Sequence, residues 1–245
     1  MARLFTNRIR IHDITRHDAD LKSHFRWETF GAVMYKLGGI FFVVGSILFF
    51  PSFSTYSWLG QTLFFAGSLC YLTINCHDTY DTHRYWANQV TQSREKWLEY
   101  SASYIYLIGT LMYIAGRVTA FIDSQYQALS SALFIIGSLL FVVGATINII
   151  NIGKISSRPI AQLMNLTAIT FIVGSVLFAV GSVPLLWQEE TMANSPLLAN
   201  FISWQFLIGS LLFFSGGVFN YWRAYLFIQD AVASQQKVPA LGPSL

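Results

Sequence analysis

Residues 133–148 are LFIIGSLLFVVGATIN, and residues 206–220 are FLIGSLLFFSGGVFN. The chain therefore contains nearly the same apolar phrase twice, each copy ending in asparagine. Only 11% of the 245 residues are charged, against roughly 25% in soluble domains. A bilayer core needs about 20 apolar residues per helix, and lipid offers no partner to an unpaired backbone amide. The phrases therefore predict membrane-spanning helices.

Six apolar runs are long enough to cross a bilayer. They are 30–50, 59–77, 101–122, 127–150, 161–187 and 199–226. We therefore predict an all-α integral membrane protein, a six-helix bundle built from three similar helical hairpins. The expected segments are an N-terminal tail at 1–29, hairpin 1 at 30–77, a cytoplasmic connection at 78–100, hairpin 2 at 101–150, hairpin 3 at 161–226 and a disordered C-terminal tail at 227–245.

The basic residues predict the orientation. Of the 15 Lys and Arg residues, Lys36 and Arg117 lie well inside predicted helices. The others, including Arg223 at the end of the sixth helix, lie on one side. The three opposite loops, 51–58, 123–126 and 188–198, contain no Lys or Arg. By the positive-inside rule both termini are cytoplasmic, so we expect a multi-pass protein of the cell (inner) membrane of a prokaryote. Anionic lipid explains the net charge of +3, and no nucleic-acid partner is needed.

Each predicted helix contains a glycine that aligns the six copies of the phrase. An aromatic residue stands three positions earlier, and a second glycine lies seven positions away. Such stripes of small residues let helices in a membrane approach closely. The aligned glycines are Gly45, Gly67, Gly116, Gly137, Gly174 and Gly209. The next residue is Ser46, Ser68, Ser138, Ser175 or Ser210, and in the third helix Arg117. We therefore expect glycine-mediated helix packing and a layer of serines that includes Arg117.

The same phrases resemble a known family. RWETFGAVMYKLGGIFFVVGSILFF (26–50) followed by LFFAGSLCYL (63–72) is similar to the YrhK-like domain, a two-helix membrane unit. FIVGSVLFAVGS (171–182) with FLIGSLLFFSGG (206–217) is similar too, whereas YIAGRVTAF (113–121) departs from the pattern at Arg117. The three-hairpin plan also resembles HdeD-like membrane proteins. The resemblance implies the fold and no particular activity.

Ionisable groups inside a membrane are costly and therefore candidates for function. Lys36 lies near the cytoplasmic end of its helix, where its long side chain can reach the interface. Arg117 lies near the outer end of the third helix, shortly before Asp123. It either extends outward to Asp123 or lipid phosphate, or faces the bundle as a group that attracts anions.

A second polar set is predicted at the cytoplasmic mouth. Asp78, Asn148 and Asn220 follow the aligned glycines of the even helices by three turns, and Lys36 and Asn165 occupy a corresponding position on odd helices. They form either a polar vestibule or simple helix caps. Nearby, His77, Asp81 and His83 include ligand types that zinc uses. Their spacing matches no standard site, so we expect neither a metal nor another cofactor.

Three classes of function follow. The absence of GxSxG, HExxH, P-loop and CxxC motifs argues against an enzyme. The glycine stripes favour a non-catalytic accessory subunit or self-associating scaffold that binds lipid, its own copies or another membrane protein. The alternative is a small-solute or anion channel or transporter that uses the polar layer around Arg117.

Overall fold

The computed structural model describes residues 21–87, 94–152, 158–187 and 195–236. Six long helices account for most of these residues. They are α1 (Leu21–Ile47), α2 (Ser57–Ala87), α3 (Arg94–Ile122), α4 (Gln127–Ile152), α5 (Arg158–Ser182) and α6 (Pro196–Gln236).

Short 3₁₀ turns, Pro51–Tyr56, Ser124–Tyr126 and Val183–Leu186, lie in the connections at one end of the helices. We call this end, with residues 48–56, 123–126, 183–187 and 195, the loop end. The opposite end, where α1 begins and α6 finishes, is the terminal end. At the loop end α6 starts with proline at its first position, where no backbone donor is lost. The backbone amide of Leu198 donates to the Ser195 hydroxyl that precedes this helix.

The six helices form a closed ring. Each helix packs against its neighbours in the chain, and α6 returns to pack against α1. The closing seam is tight, because a methyl group on Gly39 would lie 2.9 Å from Cα of Phe214. The ring therefore has an axis that all six helices surround.

Five of the predicted spans are confirmed as helices that are long and apolar enough to cross a membrane. These helical stretches are Arg26–Ile47, Arg94–Ile122, Gln127–Ile150, Arg158–Leu186 and Pro196–Gln229. The predicted span 59–77 lies in α2, which is outside this set. Asn75, Asp78 and Asp81 make the second half of α2 more polar, and all three face the interior of the bundle. That α2 also spans a membrane stays a prediction.

Helices extend into segments that we expected to be tails or a connection. Residues 21–29 belong to α1, and α2 and α3 together occupy 78–87 and 94–100. The expectation of disorder from residue 227 is wrong for 227–236, which continue α6. The apolar residues Leu226 and Phe227 pack against the core there and favour continuation of the helix. Residues 1–20 and 237–245 lie outside the described residues.

Glycines pack the two helices of each hairpin together. A methyl group on Gly38 would lie 3.2 Å from the carbonyl oxygen of Gly67, and one on Gly45 would lie 2.9 Å from that of Gly60. Hairpins 2 and 3 repeat the contact. The corresponding distances are 3.1 Å from Gly109 to Gly137 and 3.0 Å from Gly174 to Gly209. The glycine stripes, which suggested self-association, therefore contact other helices of the same chain.

These contacts correct the alignment of α5. Gly174 faces Gly209 as Gly38 faces Gly67, so Gly174 is the counterpart of Gly38. The counterpart of Gly45 is Gly181, one heptad later, with Phe178 three residues before it. Two glycines spaced by seven gave two possible alignments, and the sequence repeat did not distinguish them.

Aromatic rings fill the axis of the bundle in two layers, with one ring from each helix in each layer. The loop-side aromatic layer contains Phe42, Phe64, Tyr113, Phe134, Phe178 and Phe206. The terminal-side aromatic layer contains Tyr35, Tyr71, Tyr106, Phe141, Phe171 and Phe213. Every one of these side chains is buried. On each helix the two members are seven residues apart, and rings of the two layers contact each other, as Phe178 and Phe213 do at a centroid distance of 5.2 Å.

Phe178 lies at the centre of the loop-side aromatic layer. Its ring centroid lies within 6.4 Å of a ring from each of the other five helices. Contacts at these distances are favourable beyond the area that they bury. Phe178 therefore joins all three hairpins.

Candidate functional site

A cavity of about 180 Å³ lies at the loop end of the bundle. It is lined by Phe49, Gln61, Arg117, Gln127, Leu185, Ala199, Ile202, Ser203 and Phe206. These residues come from α2, α3, α4 and α6 and from the turns that follow α1 and α5, so the cavity lies on the axis. Its inner wall includes Phe206 of the loop-side aromatic layer.

The residues seven positions from the loop-side aromatic layer, toward the loop end, explain why a cavity is present there. Four of the six helices have Ser57, Ala120, Gln127 and Ala199 at this position, where a ring would complete a third layer. Phe49 and Leu185, in the turns that follow α1 and α5, occupy the equivalent positions. Small and polar side chains therefore replace four of six bulky groups at this level.

Arg117 is the only charged side chain among the described residues that line the cavity. It is 9% exposed. Its Nη2 donates to the Ser130 hydroxyl across a long 3.4 Å, and its guanidinium lies over the Phe134 ring. Its Nε has no partner within the described part of the chain. Arg117 thus faces the bundle, which is the second of the two orientations considered from the sequence.

Asp123 does not pair with Arg117 in this arrangement. It is exposed, and its Oδ1 accepts a hydrogen bond from the backbone amide of Gln125 at 3.1 Å. The cation is thus buried without a carboxylate among the described residues that line its cavity. Burial of such a group costs several kcal/mol unless an opposite charge approaches.

The five predicted serines do not line the cavity. They are buried between helices. The hydroxyls of Ser46, Ser68 and Ser138 donate to the carbonyl four residues earlier. Ser210 is hydrogen bonded to Ser46 at 2.9 Å, and Ser175 has no partner among the described residues. The predicted serine layer around Arg117 is therefore wrong, because these hydroxyls serve helix packing.

At the terminal end the structure forms a polar layer one heptad beyond the terminal-side aromatic layer. Its members are Glu28, Asp78, Glu99, Asn148, Met164 and Asn220. Five of the six are buried, and the side chain of Glu28 is 11% exposed. Asp78, Asn148 and Asn220 were predicted for this region, and they lie within helices that continue past them. They are therefore not helix caps.

Polar contacts connect this layer to its surroundings. Asn148 Nδ2 donates to the Tyr106 hydroxyl at 3.1 Å, and Glu99 accepts a hydrogen bond from Trp86 Nε1. Arg223 Nη2 lies 3.7 Å from Glu28 Oε2. The layer is thus part of an extensive polar network, which rigidifies a buried region when its groups are satisfied.

The other two residues predicted for the vestibule lie elsewhere. Asn165 is exposed. Lys36 Nζ lies 4.5 Å from the centre of the Tyr221 ring on α6. Glu28 and Glu99 occupy the odd-helix positions instead. Heptad steps from the tyrosines Tyr35 and Tyr106 would have found both.

The histidines of α2 do not converge with Asp81 on a metal site. His77 stacks on Trp27 with a centroid distance of 4.3 Å. His83 is exposed and lies beside the Tyr100 hydroxyl, whereas Asp81 is buried. The part of the chain that the structure describes contains no group of three metal-ligating side chains of this kind.

Four polar residues around Arg117 were not predicted: Gln61, Gln127, Ser130 and Ser203. The sequence repeat contained one signal for Ser130, which occupies the position of Gly60 in hairpin 1. In the structure the carbonyl group of Ser130 faces Gly116. The amides of Gln61 and Gln127 interrupt otherwise apolar helix starts. Without the fold, nothing places them on the same axis as Arg117.

The long apolar helices define the chain as a multi-pass helical membrane protein. Residues 25–80 and 96–152 match the family described as YrhK-like protein. These two tandem segments, hairpins 1 and 2, belong to the YrhK-like family, and the resemblance stated from the sequence is confirmed there. Neither a curated protein nor a solved structure matches the chain.

Proposed function

We propose that the protein is a non-catalytic membrane protein of the transport class that binds a small anion in the cavity at Arg117. The observation that supports this function is a buried guanidinium that faces an axial cavity with no acidic residue among its described lining. An anion would provide the missing opposite charge for this guanidinium. The amides of Gln61 and Gln127 add neutral donors.

The two aromatic layers close the path behind this cavity. Movement of the anion toward the terminal end would therefore require the rings to separate, which is a gating step rather than free conduction. Beyond the rings lies the acidic polar layer with Glu28, Asp78 and Glu99, which repels an anion. The proposal accordingly places the initial binding of the anion at the loop end, on the outer side of a prokaryotic inner membrane.

The accessory-subunit interpretation ranks second. Its main support was the glycine stripes, and these pack the helices of one chain together. Lipid contact still fits the many exposed apolar side chains on the outer faces of the helices.

Anion-dependent stabilisation tests the proposal. The purified protein is placed in lipid nanodiscs, and its thermal unfolding is measured with increasing thiocyanate or formate at constant ionic strength. Binding to the native state raises the unfolding temperature with anion concentration. We expect this rise in the wild type and in Lys36→Gln, which removes a cation outside the cavity, and its loss in Arg117→Gln. An equal rise in all three proteins would contradict the proposal.

A further inference from the structure

The wall of the cavity is divided between polar and apolar helices. Gln61, Arg117 and Gln127 come from α2, α3 and α4, which are consecutive in the ring. The apolar part of the lining comes from the other half of the ring. It consists of Phe49, Leu185, Ala199, Ile202 and Phe206. An occupant of this cavity thus meets a cation and amides on one side and hydrocarbon on the other.

The apolar half of the wall does not offer a hydroxyl donor. Ser203 lies there, but its hydroxyl is directed at the backbone carbonyls of Phe49 at 2.8 Å and Ala199 at 2.9 Å. A fully hydrated inorganic anion would therefore face hydrocarbon over half of its surface. An anion with an apolar end would bury that end there, which is favourable by about 0.8 kcal/mol per methylene.

The volume of the cavity and the geometry of the Arg117 guanidinium narrow the chemical class of the anion further. A cavity of about 150 Å³ is large enough to hold benzene, and this one measures about 180 Å³. The planar fork of a guanidinium matches a carboxylate better than a spherical ion. Arg117, whose guanidinium is such a fork, lines the cavity.

We infer that the anion is a small organic monocarboxylate, with its carboxylate at Arg117 and its apolar end between α6, α1 and the turn that follows α5. This inference rests on the proposed function and adds the substrate class. A short chain or a single ring fits the volume, whereas a long acyl chain of lipid origin exceeds it. The carboxylate is recognised by charge and the remainder of the molecule by exclusion of water.

Titration of a chain-length series tests the inference. Formate, acetate, propionate, butyrate, benzoate, dodecanoate and chloride are titrated into the wild type in nanodiscs, and dissociation constants are measured by calorimetry. We expect affinity to increase about fourfold with each methylene from acetate to butyrate, the fold-change that corresponds to about 0.8 kcal/mol. Dodecanoate should bind more weakly than butyrate at this site.

Two variants on the apolar half of the cavity wall test the contribution of the ligand's apolar end separately from that of its carboxylate. Ala199→Leu fills the space and should abolish the preference for butyrate over formate. Ile202→Ala enlarges the space and should shift the preference toward longer chains. Opposite shifts from these variants also exclude a general loss of folding as the cause.

The possible failures are distinguishable. If chloride and formate bind as well as butyrate and Ala199→Leu changes nothing, the monocarboxylate inference is overturned and the anion site stands. Affinity that continues to rise to dodecanoate would overturn it in favour of a lipid-derived ligand. Binding that is unchanged in Arg117→Gln would overturn both the inference and the proposed function.

Discussion

The guanidinium carbon of Arg117 lies 5.1 Å from the centre of the Phe134 ring, so the buried cation rests on the aromatic layer that closes the axis. Phe134 in turn stacks on Tyr113 at a centroid distance of 4.0 Å. The Phe134 ring thus contacts both the buried cation and the aromatic layer that fills the axis. The proposed anion site and the proposed gate are therefore in direct contact.

Arg117 should reduce the stability of the empty protein. A buried cation without a carboxylate partner carries a desolvation cost of several kcal/mol, and a ring contact with one long hydrogen bond offsets only part of it. Arg117→Gln is expected to raise the unfolding temperature in a buffer of large, excluded anions, whereas Arg117→Lys should not. A clear decrease in Arg117→Gln would show that the residue is structural.

Phe178 should hold the axis closed. Phe178→Ala removes the ring that contacts all five other helices and leaves a cavity, at a cost of about 3–5 kcal/mol. We expect a lower unfolding temperature together with increased anion leakage from proteoliposomes. Phe201→Ala is the matched control, since Phe201 is 43% exposed on the outer face of α6. Equal leakage from both variants would argue against a central barrier at this layer.

Gly137 should be required for folding of the single chain rather than for association of copies. A methyl group there would lie 2.6 Å from a Tyr113 ring carbon and 2.8 Å from the carbonyl oxygen of Gly109. Gly137→Ala is therefore expected to lower stability by about 1–3 kcal/mol, as measured by denaturation in detergent. At Gly31 a methyl meets nothing within 4 Å, so Gly31→Ala serves as control. Intact stability with a smaller assembly mass would restore the self-association interpretation.

Two tyrosines of the terminal-side aromatic layer should respond differently to loss of the hydroxyl. Tyr106 accepts a hydrogen bond from Asn148, so Tyr106→Phe leaves a buried donor unpaired and should cost about 1–3 kcal/mol. The Tyr35 hydroxyl is buried without a partner among the described residues. Tyr35→Phe should therefore be neutral or stabilising. Equal destabilisation in parallel unfolding curves would mean that Tyr35 has a partner in the membrane.

The orientation inferred from the basic residues can be measured directly. Ser54 is exposed in the turn at the loop end, and Ala87 is exposed at the terminal end of α2. With Cys70 and Cys76 replaced by serine, an impermeant thiol reagent applied to intact cells should label Ser54→Cys. It should label Ala87→Cys only after the membrane is permeabilised. The reverse pattern would place the termini outside.

Much of the fold was predictable because lipid imposes helices on long apolar runs. Gly67, Gly137 and Gly209 were aligned correctly. The close helix contacts that they make follow from their lack of a side chain. Gly174 was misaligned because a heptad repeat fits equally well when shifted by seven residues. Only contacts between helices choose between such shifts.

The site was less predictable. Arg117 stood out as an ionisable group in an apolar helix, but its partners come from distant parts of the chain. Gln61 and Ser203 are ordinary polar residues near helix starts, and their position around one axis depends on the closure of the ring. The serines were conspicuous by repetition, yet the repetition reflects helix packing, since the hydroxyls of Ser46, Ser68 and Ser138 bond to their own helix backbones.

The seam between α6 and α1 makes the first and last helices neighbours, with both chain ends on the same side. Each hairpin then occupies an equivalent place in a circle, and no hairpin is geometrically first. A gene that began at Arg94 and joined the old ends by a linker would encode the same two aromatic layers. The packing of the helices therefore does not dictate which hairpin comes first along the chain.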